Sequence, residues 1–160
     1  MSTDIATMLG RIPSGLFVLT ARSPSGEETG MLASWVQQAG FEPPSLTVGI
    51  NAKRYLKDWL VPGASVALSQ LGETQKSLLA HFGKGFEPDE PAFNGLETLK
   101  TPAGLTALSD SLGWIEGQVE GVLPAGDHDV VLIQVTAGGT GARHASEKPW
   151  VHLRKNGLKY

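Results

Sequence analysis

Apolar residues in this chain come in short runs of strand length, separated by glycine, proline and small polar clusters. Residues 16–21 (Leu, Phe, Val, Leu, Thr, Ala) form one such run, and Ser23-Pro-Ser-Gly-Glu27 is a turn leading into a second at 29–35. Pro43-Pro44 stops any helix and bars a central ladder position, so Ser34-Trp35-Val36-Gln37-Gln38 reads as exposed loop before a strand at 45–50. The same pattern predicts strands at 64–70, 112–122, 130–137 and 150–153. A helical period occurs three times. Ser2-Thr3-Asp4 caps a segment with Ile5, Met8, Leu9 and Ile12 on one face, ended by Pro13 and Gly15. Residues 51–60 read as a short helix closed by Pro62-Gly63, and 73–82 as another, with Leu78, Leu79 and Phe82 on one side. Residues 83–111 follow no period, and a loop that long in a compact domain is functional or carries short elements. Many strands with a few short helices predict a mainly β, closed or nearly closed antiparallel barrel, folded as one domain over residues 1–160.

Composition narrows the chemistry. At 160 residues and 16.9 kDa the chain can bury about 70% of its unfolded surface in one core. A net charge of −3 and a pI near 5.8 give no electrostatic case for nucleic acid or an anionic membrane. The longest apolar runs fall far short of the roughly 20 residues of a membrane span. Met-Ser-Thr-Asp at the start lacks the features of a signal peptide, so the expected location is cytoplasmic. There is no cysteine, which removes disulfides, cysteine-ligated iron–sulfur clusters and a thiol nucleophile. Redox chemistry would therefore need a bound cofactor. His128, His144 and His152 are too scattered to argue for a metal. No Gly-x-Gly-x-x-Gly opens a helix after a strand, which leaves out Rossmann and Walker nucleotide sites.

Four passages carry candidate chemistry. The hydroxyl, indole and amides of residues 34–38 suit a planar heteroaromatic ligand with polar edges, although such a loop is also ordinary connection. Asn51-Ala52-Lys53-Arg54 lies between a strand and a predicted helix start, where unpaired N–H groups and two cations favour an anion; solvated surface is the alternative. His81-Phe82-Gly83-Lys84 offers a second cation, with Phe82 equally readable as core. Gly126-Asp127 is a turn signal, and His128 follows it directly.

Together these passages resemble the flavin reductase-like family, the FMN-binding split barrels. The resemblance rests on Met31-Leu-Ala33-Ser34-Trp35 followed by Phe41-Glu-Pro-Pro44 and an apolar strand. It rests also on Gly126-Asp127-His128 before the strand at 130–135, and on the closing Pro149-Trp-Val-His-Leu-Arg-Lys-Asn-Gly-Leu-Lys-Tyr160. It covers residues 8–160 in the family's order. Within the family the chain most resembles the carboxy-terminal flavin reductase domain of cyanobacterial diflavin (flavodiiron) proteins, through residues 9–16 and 81–86 as well.

The resemblance implies an antiparallel split barrel that binds FMN noncovalently, takes NADH or NADPH as co-substrate and forms a homodimer with the flavin at the subunit interface. The implied activity is NAD(P)H-dependent flavin reduction by hydride transfer. The alternative is a non-catalytic FMN electron-transfer protein serving a separate redox partner protein. Carried over position by position, Met31, Ala33, Ser34, Trp35, Val36 and Gln37 would line the ring. Asn51, Ala52, Lys53 and Arg54 would hold the phosphate, with Phe82 and Lys84 beside them, and His128 would act on the nicotinamide. The family often has Ser or Thr where this chain has Trp35.

Overall fold

The computed structural model describes residues 3–160, so the Ser2 part of the expected helix cap lies outside the described residues. A short helix, α1 (Thr3–Gly10), precedes the hairpin of β1 (Phe17–Arg22) and β2 (Glu28–Ala33). A second hairpin, β3 (Val36–Phe41) with β4 (Pro44–Asn51), is followed by a 3-10 turn at Tyr55–Trp59, by β5 (Ser65–Gln70) and by α2 (Lys76–Gly83). After β6 (Thr98–Lys100) and β7 (Thr106–Leu108) come the long partners β8 (Gly113–Ala125) and β9 (His128–Thr140). Seven strands make one antiparallel sheet in the order β2-β1-β5-β8-β9-β4-β3, and β6-β7 stands apart as a small hairpin. None of the described helices is long and apolar enough to cross a membrane.

The core explains why this sheet curls. Leu19, Val66, Leu68, Val119 and Ile133 from its middle pack in one cluster with Met31 and Ala33 of β2 and with Leu46, Val48 and Ile50 of β4. Burying such side chains stabilises the fold by about 1.5–3 kcal/mol each, which favours bringing both ends of the sheet onto one core. The edge strands β2 and β3 share no ladder, so the barrel is split between them. Ser34 and Trp35 are the link across that split. A second cluster, with Val18, Leu71, Leu78 and Phe82, lies under α2 on the outer face of β1. β1 is thus buried on both faces, which is why residues 16–21 read as a continuous apolar run.

Two expectations are corrected, and a third, for residues 83–111, is met. Residues 36–41 are not loop but edge strand β3, paired with β4 from Val36↔Val48 to Phe41↔Pro44. Edge exposure explains why its apolar–polar alternation is faint: Gln37, Gln38 and Ala39 are all exposed. Pro44 opens β4 at the hairpin, where its missing N–H is tolerated. The strand expected at 150–153 is reduced to isolated bridges, Ser14↔His152 and Gly72↔Pro149. Pro13 and Pro149 have no N–H to extend them. The irregular segment at 83–111 carries the β6-β7 hairpin.

The tail instead runs back along α1. Arg154 N–H donates to Gly10 O at 2.9 Å and Gly157 N–H to Ala6 O at 2.7 Å. The approach is close enough that a Cβ on Gly10 would lie 2.4 Å from Arg154 O, and one on Gly157 2.2 Å from Leu9 Cβ. Met8 on α1 and Ile12 just after it are largely exposed, at 63% and 62%.

Candidate functional site

Trp35 is the pivot of the site. Its carbonyl accepts from Gly49 N–H of β4 at 2.9 Å, which ties the link across the split to the opposite sheet edge. A Cβ on Gly49 would come within 2.9 Å of the indole, so glycine here lets the ring lie flat on the strand. Two cavities, of about 410 and 750 Å³, share Ser34, Trp35, Gly49 and Arg154 in their walls.

Where the larger cavity has Arg154 alone, the smaller has two arginines in its wall, Arg54 and Arg154. Met31, Ala33, Ser34 and Trp35 form one side of it, and Asn51 and Arg54 another. The Asn51 side-chain oxygen accepts from Lys53 N–H at 2.9 Å, and its backbone carbonyl accepts from Arg54 N–H at 3.0 Å, closing the turn that presents Arg54. The tail supplies His152, Arg154 and Tyr160. Neither Arg54 nor Arg154 has a carboxylate within ion-pairing distance among the described residues. The Arg154 guanidinium lies 5.1 Å from the Trp35 ring centre, a cation–π arrangement. The larger cavity is walled by Val36, Gln37, Thr47 and Val130 of the sheet, by Leu9 and Ile12 around α1, and by Pro149, Trp150 and Val151 of the tail.

The fold therefore brings together eight of the sequence-predicted positions. Met31, Ala33, Ser34, Trp35, Asn51 and Arg54 line the smaller cavity, and Val36 and Gln37 the larger. The other five line neither. Ala52 and Lys53 sit on the turn, Lys53 exposed. Phe82 is 1% exposed in the cluster under α2, where the apolar face of that helix takes it, so its place is the core. Lys84 is exposed, its ammonium 5.3 Å from the Phe86 ring centre.

His128 stands behind the cavity wall. It opposes Asn51 across the β4-β9 ladder, beyond a two-residue turn whose Gly126 has φ +80°, the left-handed value that glycine adopts without strain. Its ring is 4.7 Å from Trp35 between centroids. Nδ1 lies 2.8 Å from Asp127 Oδ1, and Nε2 lies 2.8 Å from the Tyr160 hydroxyl. The hydrogen bond to His128 holds the Asp127 carboxyl below its ordinary range. Burial, and then the nearby Arg154 charge, push the His152 imidazole below its ordinary value.

Sequence reasoning did not single out His152 or Tyr160 as site residues. Arg154 stands in the sequence as one of three cations of the closing motif, with Lys155 and Lys159, and nothing local sets it apart. The signal was the closing motif itself, whose residues reach the cavity only through the tail's return along α1.

Residues 9–157 match the family described as the flavin reductase like domain. This chain belongs to that family. Diflavin flavoprotein A 1 of Synechocystis sp. is 36% identical over 162 residues, a match that takes in 100% of this chain and 28% of the relative. The chain thus spans little more than a quarter of that relative's length. Among solved structures, the styrene monooxygenase flavin reductase (SMOB) of Pseudomonas putida S12 superposes with a TM-score of 0.75 at 26% identity, over 92% of this chain and 91% of the other. The NADH:FAD oxidoreductase SgcE6 of Streptomyces globisporus C-1027, solved in complex with NAD and FAD fragments, gives a TM-score of 0.78 at 18% identity, over 92% and 85%. At that identity the likeness to SgcE6 is one of fold. In this flavin reductase domain the split, the Gly10–Arg154 contact and both cavities fall within the matched residues, except that Tyr160 lies just beyond them and Ala6 just before.

Proposed function

We propose that this domain binds FMN noncovalently in the smaller cavity and serves as an NAD(P)H-dependent flavin reductase. The observation that carries the reading is the pair of guanidiniums, Arg54 and Arg154, without a carboxylate partner among the described residues and set in a cavity lined also by Ser34 and the Trp35 indole. That donor set fits a planar ring bearing a phosphate, because an anion meets two cations and a flat ring meets an aromatic face. Arg54, presented by the Asn51 turn, takes the phosphate. The Ser34 hydroxyl and adjoining backbone address the polar edge of the ring, and Trp35 shapes the slot. A bound flavin supplies a two-electron acceptor for hydride from the nicotinamide. The chain's part is to hold donor and acceptor in near-attack geometry and to keep water from between them; His128, which lines neither cavity, bears on the nicotinamide only indirectly.

A homodimer accords with the apolar surface left open: Phe41 at the tip of β3 is 89% exposed, Leu123 near the end of β8 66%, and Met8 on α1 63%. The expected location is the cytoplasm. A second reading follows from the match to a quarter-length segment of a diflavin flavoprotein: the domain is an FMN electron carrier for a redox partner protein and does not itself react with the nicotinamide.

Absorbance and stopped-flow reduction test these readings together. The purified protein, or the apoprotein titrated with FMN, is expected to show a flavin spectrum that acid or heat releases as FMN. NADH or NADPH is then expected to bleach it within seconds. Tight FMN that neither nicotinamide reduces selects the carrier reading. No flavin binding at all overturns both.

A further inference from the structure

The His128 imidazole has both nitrogens engaged. Ionised Asp127 can only accept, so Nδ1–H donates to Oδ1 at 2.8 Å; in the neutral imidazole Nε2, 2.8 Å from the Tyr160 hydroxyl, then accepts from its O–H. The His128 side chain is 12% exposed and lines neither cavity, whereas Tyr160 lines the smaller one beside Asn51, Arg54 and Trp35. Tyr160 is itself 81% exposed, which puts it at the cavity's mouth rather than its floor. Its ring faces Trp35 at 6.2 Å between centroids with only 28° between the planes. Trp35 is thus bracketed by the turn and the tail, by His128, Arg154 and Tyr160 at once.

From this geometry we propose, building on the FMN reading above, that Tyr160 is a ligand-contacting residue of the flavin site and that His128 is a positioning residue acting on the ligand through it. Asp127 orients the imidazole, and the imidazole orients the phenol. Because the phenol gives its proton to Nε2, its oxygen faces the cavity as an acceptor, complementary to a ring N–H. The phenyl face supplies the aromatic contact at the mouth.

The test is FMN titration of the full chain, in wild type and in four variants: Tyr160→Ala, Tyr160→Phe, His128→Phe and the double His128→Phe/Tyr160→Phe. Tyr160→Phe keeps the ring and removes the hydroxyl, whereas His128→Phe puts an apolar ring in place of the imidazole and removes its bonds to both Tyr160 and Asp127. Tyr160→Ala is expected to weaken FMN about tenfold and to shift the visible band of the FMN that still binds at saturation, a signature that a purely structural role leaves unmoved. Each Phe variant is expected to weaken FMN about threefold, and the double variant no more than Tyr160→Phe alone, because the imidazole acts on the ligand only through the hydroxyl that this substitution removes. Losses that multiply to about ninefold in the double variant overturn the coupling. Unchanged affinity and spectrum in Tyr160→Ala overturn the contact, while the wild type still binding FMN leaves the reading of the cavity intact. A wild type that does not bind FMN overturns that reading, and the role of Tyr160 with it.

Discussion

Arginines on two sides of this barrel are used in opposite ways. On the β6-β7 side, Arg22 donates to Glu28 Oε1 at 3.1 Å and to Gly104 O at 2.6 Å, and Glu28 also takes the Lys100 ammonium and the Thr106 hydroxyl. Where the 141–147 segment meets the loop before β8, Arg143 grips both carboxylate oxygens of Asp110, at 2.8 and 3.0 Å, and Glu147 at 2.9 Å. Hydrogen bonds donated to Asp110 first, then to Glu147, raise the Arg143 pKa above its ordinary value. On the cavity side, Arg54 and Arg154 have no carboxylate partner among the described residues, and Arg154 rests on an indole face instead. A paired guanidinium ties chain segments together. One left on a cavity wall, stacked but uncompensated, is poised for an anion from outside.

The strongest way to break this comparison is to delete the uncompensated charges. Arg54→Ala with Arg154→Ala is expected to weaken FMN at least about 100-fold, about 2.8 kcal/mol, since charge-assisted hydrogen bonds contribute about 1.5–3 kcal/mol each. Lys53→Ala, on the turn but outside the cavity wall, should cost less than about threefold by the same scale. Riboflavin, which lacks the phosphate, separates the roles: Arg54→Ala should scarcely alter its affinity. Equal losses for FMN and riboflavin in Arg54→Ala would mean that this side chain shapes the cavity rather than holding an anion.

The paired side should respond in stability and not in binding. Glu28→Gln is expected to lower unfolding free energy by about 1–2 kcal/mol, by weakening its bonds to Arg22, Lys100 and Thr106, with FMN affinity unchanged. Chemical denaturation beside a flavin titration measures both quantities. A variant that keeps its stability but loses FMN would reverse the assignment of the two regions.

The smallest effect sharpens the contrast through pH. Burial works to raise the Glu28 pKa, but the Thr106, Arg22 and Lys100 contacts outweigh it and the net shift is downward. The unfolded chain then takes up that proton first on acidification. The stability Glu28 contributes is therefore whole above the ordinary carboxylate range and is lost only as pH falls through its lowered folded value. His152, on the cavity side, has its folded pKa depressed by burial and then by Arg154. Its contribution is whole above about pH 6.5 and is lost as pH falls through the depressed folded value, a higher window than that of Glu28. Melting temperatures between pH 7.5 and 5.5 should fall less in His152→Gln than in wild type. Identical slopes would remove His152 from the account.

Most strands were legible because their cause is local. The continuous run at 16–21, the Ser23–Glu27 turn and the Gly126-Asp127 turn signal their structures by apolar run, glycine and proline alone. β3 was not, because a solvent-exposed edge strand needs no apolar face, and Gln37 and Gln38 read as loop until β4 pairs with them. Site residues near one another in sequence, from Met31 to Gln37 and from Asn51 to Arg54, could be marked by motif and by their place after strands. Phe82 shows the limit: the apolar stripe of α2 fits a core and a cofactor wall equally, and packing under β1 decides for the core.

By itself, then, the sequence determined an antiparallel barrel, its principal turns and the family to which the chain belongs, since these follow from residue pattern and local conformational preference. Tertiary structure alone decided which cations stay uncompensated, and that Trp35, His128, Arg154 and Tyr160 meet. Those residues are brought together by closure of the sheet around one core and by the tail's return along α1. Such long-range contacts depend on how the whole core packs, and no short stretch of the chain encodes them.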